Sequence, residues 1–198
     1  ALHGQGKWDE AKRTEEAALA VFRDNMGERQ LNIAQSLNNL GEVLAGLGRW
    51  EEALEKFSKA ITLYQKVLGV YRQKYGDTSD RAADILAFMA TTYHNAGHLD
   101  AARAVLEVAL EIKVDVHGSV HIEVGDLLNR LGLIQFNQGD LESALQTYTV
   151  GLDVYRVCLG AKDPRVVQTL DNIGVVLARM CRLDDALEAY QRAVAVMS

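Results

Sequence analysis

Five histidines, two cysteines and 27 acidic side chains supply the chemistry-bearing groups of this 198-residue sequence, and their spacing decides what they can do. His94 and His98 stand four apart, as do His117 and His121. On a continuous helix that spacing puts two imidazoles on one face, where they can share a metal ion. Here the first pair runs into a turn at Gly97 and the second straddles Gly118, so neither keeps a rigid face. No cysteine or carboxylate completes a ligand set at a recognised spacing, and neither a metal nor a cofactor is expected. Ser79, Cys158 and the glycine-rich segments are candidates for a nucleophile, a reactive thiol and a phosphate loop. Each has a simpler structural role: a helix cap, a packed residue and inter-helix turns. Paired acids such as Glu51-Glu52 and Asp184-Asp185 open helices, where negative charge complements the macrodipole. These residue types predict a binder and not an enzyme.

Composition narrows the elements that could position such groups. The chain is 48% apolar, and its one proline, Pro164, stands against the roughly 10 expected at average usage, which favours a mostly helical protein over loop-rich β architectures. No uninterrupted apolar stretch exceeds six residues, far short of the roughly 20 that span a bilayer, and no basic start leads into an apolar core as in a signal peptide. The formal charge of −6 argues against nucleic acid, whose binding needs Lys and Arg to displace counterions. Two isolated cysteines, Cys158 and Cys181, are too few for a disulfide framework and predict a reducing, intracellular compartment.

An internal repeat organises the chain. The segment Gly6-Lys-Trp-Asp-Glu-Ala11 returns as Gly48-Arg-Trp-Glu-Glu-Ala53, Gly97-His-Leu-Asp-Ala-Ala102, Gly139-Asp-Leu-Glu-Ser-Ala144 and Cys181-Arg-Leu-Asp-Asp-Ala186. The closing alanines are 42, 49, 42 and 42 apart, a period that signals a solenoid. Before each later turn stands a small residue after apolar ones: Leu37-x-x-Leu40-Gly41, Leu86-x-x-Met89-Ala90, Leu128-x-x-Leu131-Gly132 and Leu170-x-x-Ile173-Gly174. Leu37, Leu40, Gly41 and Leu44 make one helical stripe, and Trp50, Ala53, Phe57 and Ala60 repeat the spacing after the turn. Small residues there, and at Ala60, Ala109, Gly151 and Ala193, let two helix backbones approach closely. Asp163 before Pro164 predicts an N-cap followed by proline at the first helical position, with Ser79 in the equivalent place.

The pattern Leu-x-x-Leu-Gly, Gly, Trp/Leu-x-x-Ala-x-x-x-Phe/Tyr-x-x-Ala resembles the tetratricopeptide repeat (TPR). The 42-residue unit, Leu37-Asn38-Asn39-Leu40 and the connection Leu159-Gly160-Ala161-Lys162-Asp163-Pro164-Arg165-Val166 are similar to the kinesin light chain class. The resemblance implies an all-α fold: a right-handed α-solenoid of antiparallel helix pairs, about nine helices long. Its repeats would be a partial first (1–29), a second with an extended second helix (30–78), a third (79–120), a fourth (121–162) and a fifth (163–198). Gln135 departs from the pattern where Leu44, Tyr93 and Leu177 stand, and Glu15 departs where Phe57 stands. The 49-residue spacing comes from a duplicated heptad, Tyr64 to Gly69 and Tyr71 to Gly76, which predicts a second helix projecting about 10 Å further. Its Tyr71, Arg72, Lys74 and Tyr75 are candidates for a secondary docking knob. No polar capping helix follows the last repeat, which is expected of a piece of a longer protein or of an end that self-associates.

The resemblance also implies that the first helices line a concave peptide-binding groove. In the second repeat the groove face carries Asn38, Asn39 and Glu42. In the third it carries Asp84, Phe88, Thr91, His94 and Asn95. Asp126, Asn129, Arg130, Leu133, Phe136 and Asn137 follow in the fourth, and Asp171, Asn172, Val175 and Arg179 in the fifth. Amides pair with any peptide backbone, while Leu133, Phe136 and Val175 would hold an apolar anchor. Four acids (Glu42, Asp84, Asp126, Asp171) against Arg130 and Arg179 predict a protein partner with apolar anchors and basic or neutral flanks. Of the positions with which chaperone-type TPRs hold a terminal carboxylate, occupied here by Asn38, Glu42, Phe88, Asp126 and Arg130, only Arg130 matches. The expected role is a cytoplasmic adaptor or scaffold, with the cytoskeleton as one setting. Homo-oligomeric assembly through uncapped repeat ends and a regulatory module of a larger enzyme are the alternatives.

Overall fold

A computed structural model of the protein describes residues 27–197, and among them it contains helices and turns and no strand. Helix α1 runs through residues 27–46. It is followed by α2 (Trp50–Tyr75), α3 (Asp80–Asn95), α4 (Leu99–His117), α5 (Ile122–Gln138), α6 (Leu141–Leu159), α7 (Pro164–Arg179) and α8 (Leu183–Met197). That is eight helices among the described residues. The turn from Gly6 to Ala11 and the irregular Glu15 of the partial first repeat lie outside them. The chain divides into two compact units, one ending at Lys74 and the other beginning at Tyr75.

Each hairpin is built on a left-handed turn residue and a close approach of two helices. Gly48, Gly97 and Gly139 take φ of 75°, 80° and 83°, a region that costs an L-residue about 1–2 kcal/mol and glycine almost nothing. Cys181 occupies the same place before α8 with φ 61°. The caps follow the sequence: the Ser79 hydroxyl accepts the Ala82 N–H at 3.3 Å, and Asp163 accepts that of Arg165 at 2.9 Å with Pro164 at the first position. His121 stands in the equivalent column and caps α5 by accepting the Glu123 N–H at 3.3 Å.

The close approach sits sixteen residues apart in every repeat. Gly41 lies beneath the ring of Phe57, Gly132 beneath Tyr148 and Gly174 beneath Tyr190; a Cβ on these glycines would stand 2.5, 2.9 and 2.6 Å from the ring atoms. In the third repeat the pair is Ala90 and Leu106, both buried, so a larger small residue accompanies the loss of the ring. Behind Tyr148 a continuous core joins Leu152 and Tyr155 of α6, Val166, Leu170 and Leu177 of α7, and Ala186, Ala189 and Ala193 of α8.

Within its unit α2 spans 26 residues against 19 for α4 and α6. The duplicated heptad carries the helix past Gly69 to a left-handed Gly76 with φ 92°. Of the candidate docking residues there, Arg72, Lys74 and Tyr75 are exposed and Tyr71 is not. Tyr71 is buried over Gly27 in the first unit. Tyr75, in the second, is held by Arg81, which donates to its hydroxyl at 2.8 Å and lies 4.7 Å from the ring centre. Two further expectations are corrected. Leu40 is 45% exposed while Asn38 is 8% exposed, because α2 covers the side of α1 that carries Ala34, Asn38, Gly41 and Leu44. Cys158 is exposed at the end of α6 and not packed.

Gly132→Ala should lower stability by about 1–3 kcal/mol, the usual cost of overpacking a filled core, because the added Cβ would stand 2.9 Å from the ring of buried Tyr148, which must shift. Urea unfolding followed by circular dichroism measures this, with the exposed Gly46→Ala, whose added Cβ meets nothing within 4 Å, as the control expected to be neutral or stabilising.

Candidate functional site

In the second unit the first helices α3, α5 and α7 present one face of each repeat, and side chains in equivalent columns meet across adjacent helices. Arg130 reaches the Thr91 hydroxyl at 3.4 Å, and the Asn137 amide donates to His94 Nε2 at 2.7 Å. His94 Nδ1 lies 3.4 Å from the Asn95 side-chain oxygen. Between α5 and α7, Asn129 donates to the Thr169 hydroxyl at 2.8 Å, and the Arg179 guanidinium stands 5.7 Å from the Phe136 ring centre. Seven residues expected to greet a ligand therefore also tie neighbouring repeats together: Thr91, His94, Asn129, Arg130, Phe136, Asn137 and Arg179. Phe136 is half-buried against the α6–α8 core. Leu133 and Val175 stay 43% exposed, with Asp171 exposed and Asn172 half-buried beside them.

Several acids of this face are paired. Lys113 of α4 is 2% exposed, and its ammonium donates to Asp80 and Asp84 at 2.7 Å each and to Glu123. Burial by itself would lower its pKa, but hydrogen bonds to the three carboxylates outweigh that and hold it above the ordinary lysine value. Asp80 also accepts from His117 Nε2 at 2.7 Å, and the His117 and His121 rings stack 4.4 Å apart. For the Asp80 carboxyl, partial burial acts upwards, while Lys113 and His117 pull it below its usual range and prevail.

One repeat on, Tyr155 takes the place of Lys113. Its hydroxyl donates to Asp126 at 2.7 Å, and Arg165 approaches the same carboxylate at 3.6 Å. Burial, joined by Asp126, holds the Tyr155 phenol well above its ordinary value, and burial pushes Tyr148 up to about 12. The count of unanswered acids is corrected accordingly: Asp84 is met by Lys113 and Asp126 by Arg165, cations carried outside the positions counted. A signal for Lys113 was present, since it stands in a column otherwise filled by Tyr64 and Tyr155.

Asp80, His117 and Glu123 bring their ligand atoms within 4.8 Å of one another, a grouping across 37 and 6 residues that short-range spacing could not reveal. The Lys113 ammonium already bonds both carboxylates, so a divalent ion would have to displace it.

Two hollows line the α3/α5 gap. One, of about 220 Å³, is bounded by Ala90, Thr91, His94, Leu106, Arg130, Leu133 and Ile134. The other, of about 120 Å³, is bounded by Asp84, Ala87, Phe88, Lys113, Glu123, Asp126, Leu127 and Arg130. A more open, more polar cleft of about 580 Å³ follows between α5 and α7, where Asn129, Tyr155, Arg165, Gln168 and Asn172 meet. The face offers hollows of side-chain size and exposed polar groups, and its charge is patterned along the gap.

Replacing Lys113 with Met leaves three carboxylates facing one another without their cation and should cost about 1–3 kcal/mol. Lys113→Tyr should cost less, because a phenol can donate to Asp84 as Tyr155 does to Asp126; chemical denaturation of both variants compares them. Asp80→Asn should be less stable than the parent at pH 7, and the difference should shrink as pH falls below the ordinary carboxylate range. A carboxylate with a lowered folded pKa contributes above its unfolded value, and that contribution is lost as pH falls through the folded one; thermal unfolding across that range reads it.

Comparison with known proteins places this architecture. The chain is similar in structure to BtubC (BKLC) of P. vanneervenii, with TM-score 0.67 and 24% identity over 86% of this chain and 73% of that one. It is also similar to a Podosopora anserina protein of kinesin light chain type with nearly identical TPR-like repeats, with TM-score 0.63 and 13% identity over 91% and 93% of the two chains. A variant of that protein gives the same values. No curated protein sequence matches. The tetratricopeptide repeat model matches residues 1–62, 54–113 and 123–198, and the chain belongs to the tetratricopeptide repeat family.

Proposed function

We propose that this protein is an adaptor or scaffold that binds a peptide segment of a protein partner along the face formed by α3, α5 and α7. The observation that carries this reading is the pair of hollows in the α3/α5 gap with exposed Leu133 at their edge. A hollow of about 220 Å³ is smaller than the roughly 300–1,000 Å³ of a small-molecule site and suits one side chain of a longer ligand. The polar pairs across the helices hold the face in place before a partner arrives, which lowers the ordering cost of binding. Among the described residues no helix is long and apolar enough to cross a membrane. The two exposed free thiols suit a reducing compartment, and we read the cytoplasm as the setting.

A second reading, self-assembly, is favoured by one feature. Leu183, Leu187, Tyr190 and Val194 form a stripe on α8 and are 36–68% exposed. Their counterparts one repeat earlier, Leu141, Leu145, Tyr148 and Leu152, belong to the core shared with α7. Light scattering over a range of concentrations, with Leu187→Asp as the control, separates the two readings: a monomer throughout removes the second.

Panning a phage-displayed library of random 12-residue peptides against the whole chain tests the first reading. Recovered peptides should lose binding to Leu133→Asp and weaken on Val175→Asp. Both positions are 43% exposed, so folding stability should change by no more than about 0.5 kcal/mol. Peptides that bind Leu133→Asp as well as the parent would remove the proposed face.

A further inference from the structure

The two hollows in the α3/α5 gap differ in chemistry and have a measurable separation. The larger is floored by Leu106 and Ile134, and its charged wall is Arg130. The smaller sets Asp84, Glu123 and Asp126 against Lys113 and Arg130 over the apolar surfaces of Phe88 and Leu127; with Asp80 on Lys113 and Arg165 on Asp126 just outside it, four carboxylates meet three cations. The larger is centred near residues 92 of α3 and 132 of α5, the smaller near 86 and 126. About six residues at 1.5 Å rise put the centres roughly 8–9 Å apart along the helices. In an extended peptide, residues i and i+2 face the same way about 7 Å apart. A helical ligand would need about six residues for the same span.

Resting on the reading of this face as a peptide site, we infer that the bound segment is extended and carries an aliphatic residue and a Lys or Arg two positions apart. The aliphatic side chain fills the larger hollow. The basic side chain lays its methylenes on Phe88 and Leu127 and brings its charge to the carboxylates of the smaller one, as long cationic side chains do on mixed surfaces. Between them stands the Arg130 guanidinium. It is exposed, bonded to the Thr91 hydroxyl at 3.4 Å, and paired with no carboxylate among the described residues, so its remaining N–H groups can donate to the carbonyl of the intervening residue. The charge of the smaller hollow selects a cation there, and the absence of a carboxylate from the larger one leaves it selective for apolar groups.

The peptides recovered in the selection above decide this separately from the face itself. Leu, Ile or Val two positions from Lys or Arg should be enriched about threefold or more over the unselected library. In fluorescence anisotropy with a recovered peptide, changing that basic residue to Glu should weaken binding about tenfold, as losing one charge-assisted contact does. Moving it to the next position should weaken binding to a similar extent, and raising salt should shrink the difference between the Lys and Glu peptides. Peptides that depend on Leu133 yet show no basic residue at that spacing, or that tolerate Glu there, overturn the inference while leaving the face intact. Failure to recover peptides, or recovery of peptides indifferent to Leu133→Asp, overturns both.

Discussion

Everything in this molecule depends on how closely two helices of one repeat can approach. An aromatic ring of the second helix lies on a glycine of the first, as Tyr148 lies on Gly132, and the missing Cβ sets the distance between the backbones. The third repeat shows that size complementarity, and not glycine itself, is the requirement: Ala90 pairs with Leu106 and both are buried. Once that distance is the same in successive hairpins, equivalent residues fall into columns. Only then can Arg130 find Thr91 and Asn137 find His94 across neighbouring first helices. The face formed by the first helices is thus a product of contacts made behind it.

The second helices also decide the charge of that face. Lys113 and Tyr155 occupy one column and both reach forward to an acid of their own first helix, Asp84 and Asp126. Lys113 delivers a full charge, and Tyr155 delivers only a proton to share. A buried ammonium survives because several acceptors surround it, which offsets the loss of solvation. It draws Asp80 and Glu123 from both neighbouring first helices into one cluster. The N-terminal end of the α3/α5 gap is therefore acidic and densely bonded, while the C-terminal end is apolar.

The framework was legible in the sequence because it repeats. Ala53, Ala102, Ala144 and Ala186 mark the second helices, the glycines before the first three mark their turns, and Asp163-Pro164 marks a helix start; all are local signals read from spacing. The face was legible only as a set of columns. Which members stay available depends on contacts across about 40 residues, and Asn129 to Thr169 or Arg179 to Phe136 are invisible to a period-3.6 reading. Tyr71 left the candidate docking surface for a related reason. Of the two aromatics on the duplicated heptad it became a core residue, while Tyr75 stays 36% exposed as the partner of Arg81, since a ring on a helix is buried where a neighbour offers burial.

The cross-helix bonds have a consequence for how the face could diversify. Asn129, Asn137 and His94 each hold a neighbour, so changing one also loosens a repeat junction; for Asn129, whose partner Thr169 is buried, a partner left unpaired costs about 1–3 kcal/mol. Leu133 and Val175 carry no such duty. They are 43% exposed, they occupy one column a repeat apart, and Thr91 takes that column in α3. Apolar or polar character can change there with little effect on the fold. The chemistry of this face is therefore cheapest to alter at Leu133 and Val175, and hardest to alter at Asn129, which reaches back to a buried hydroxyl.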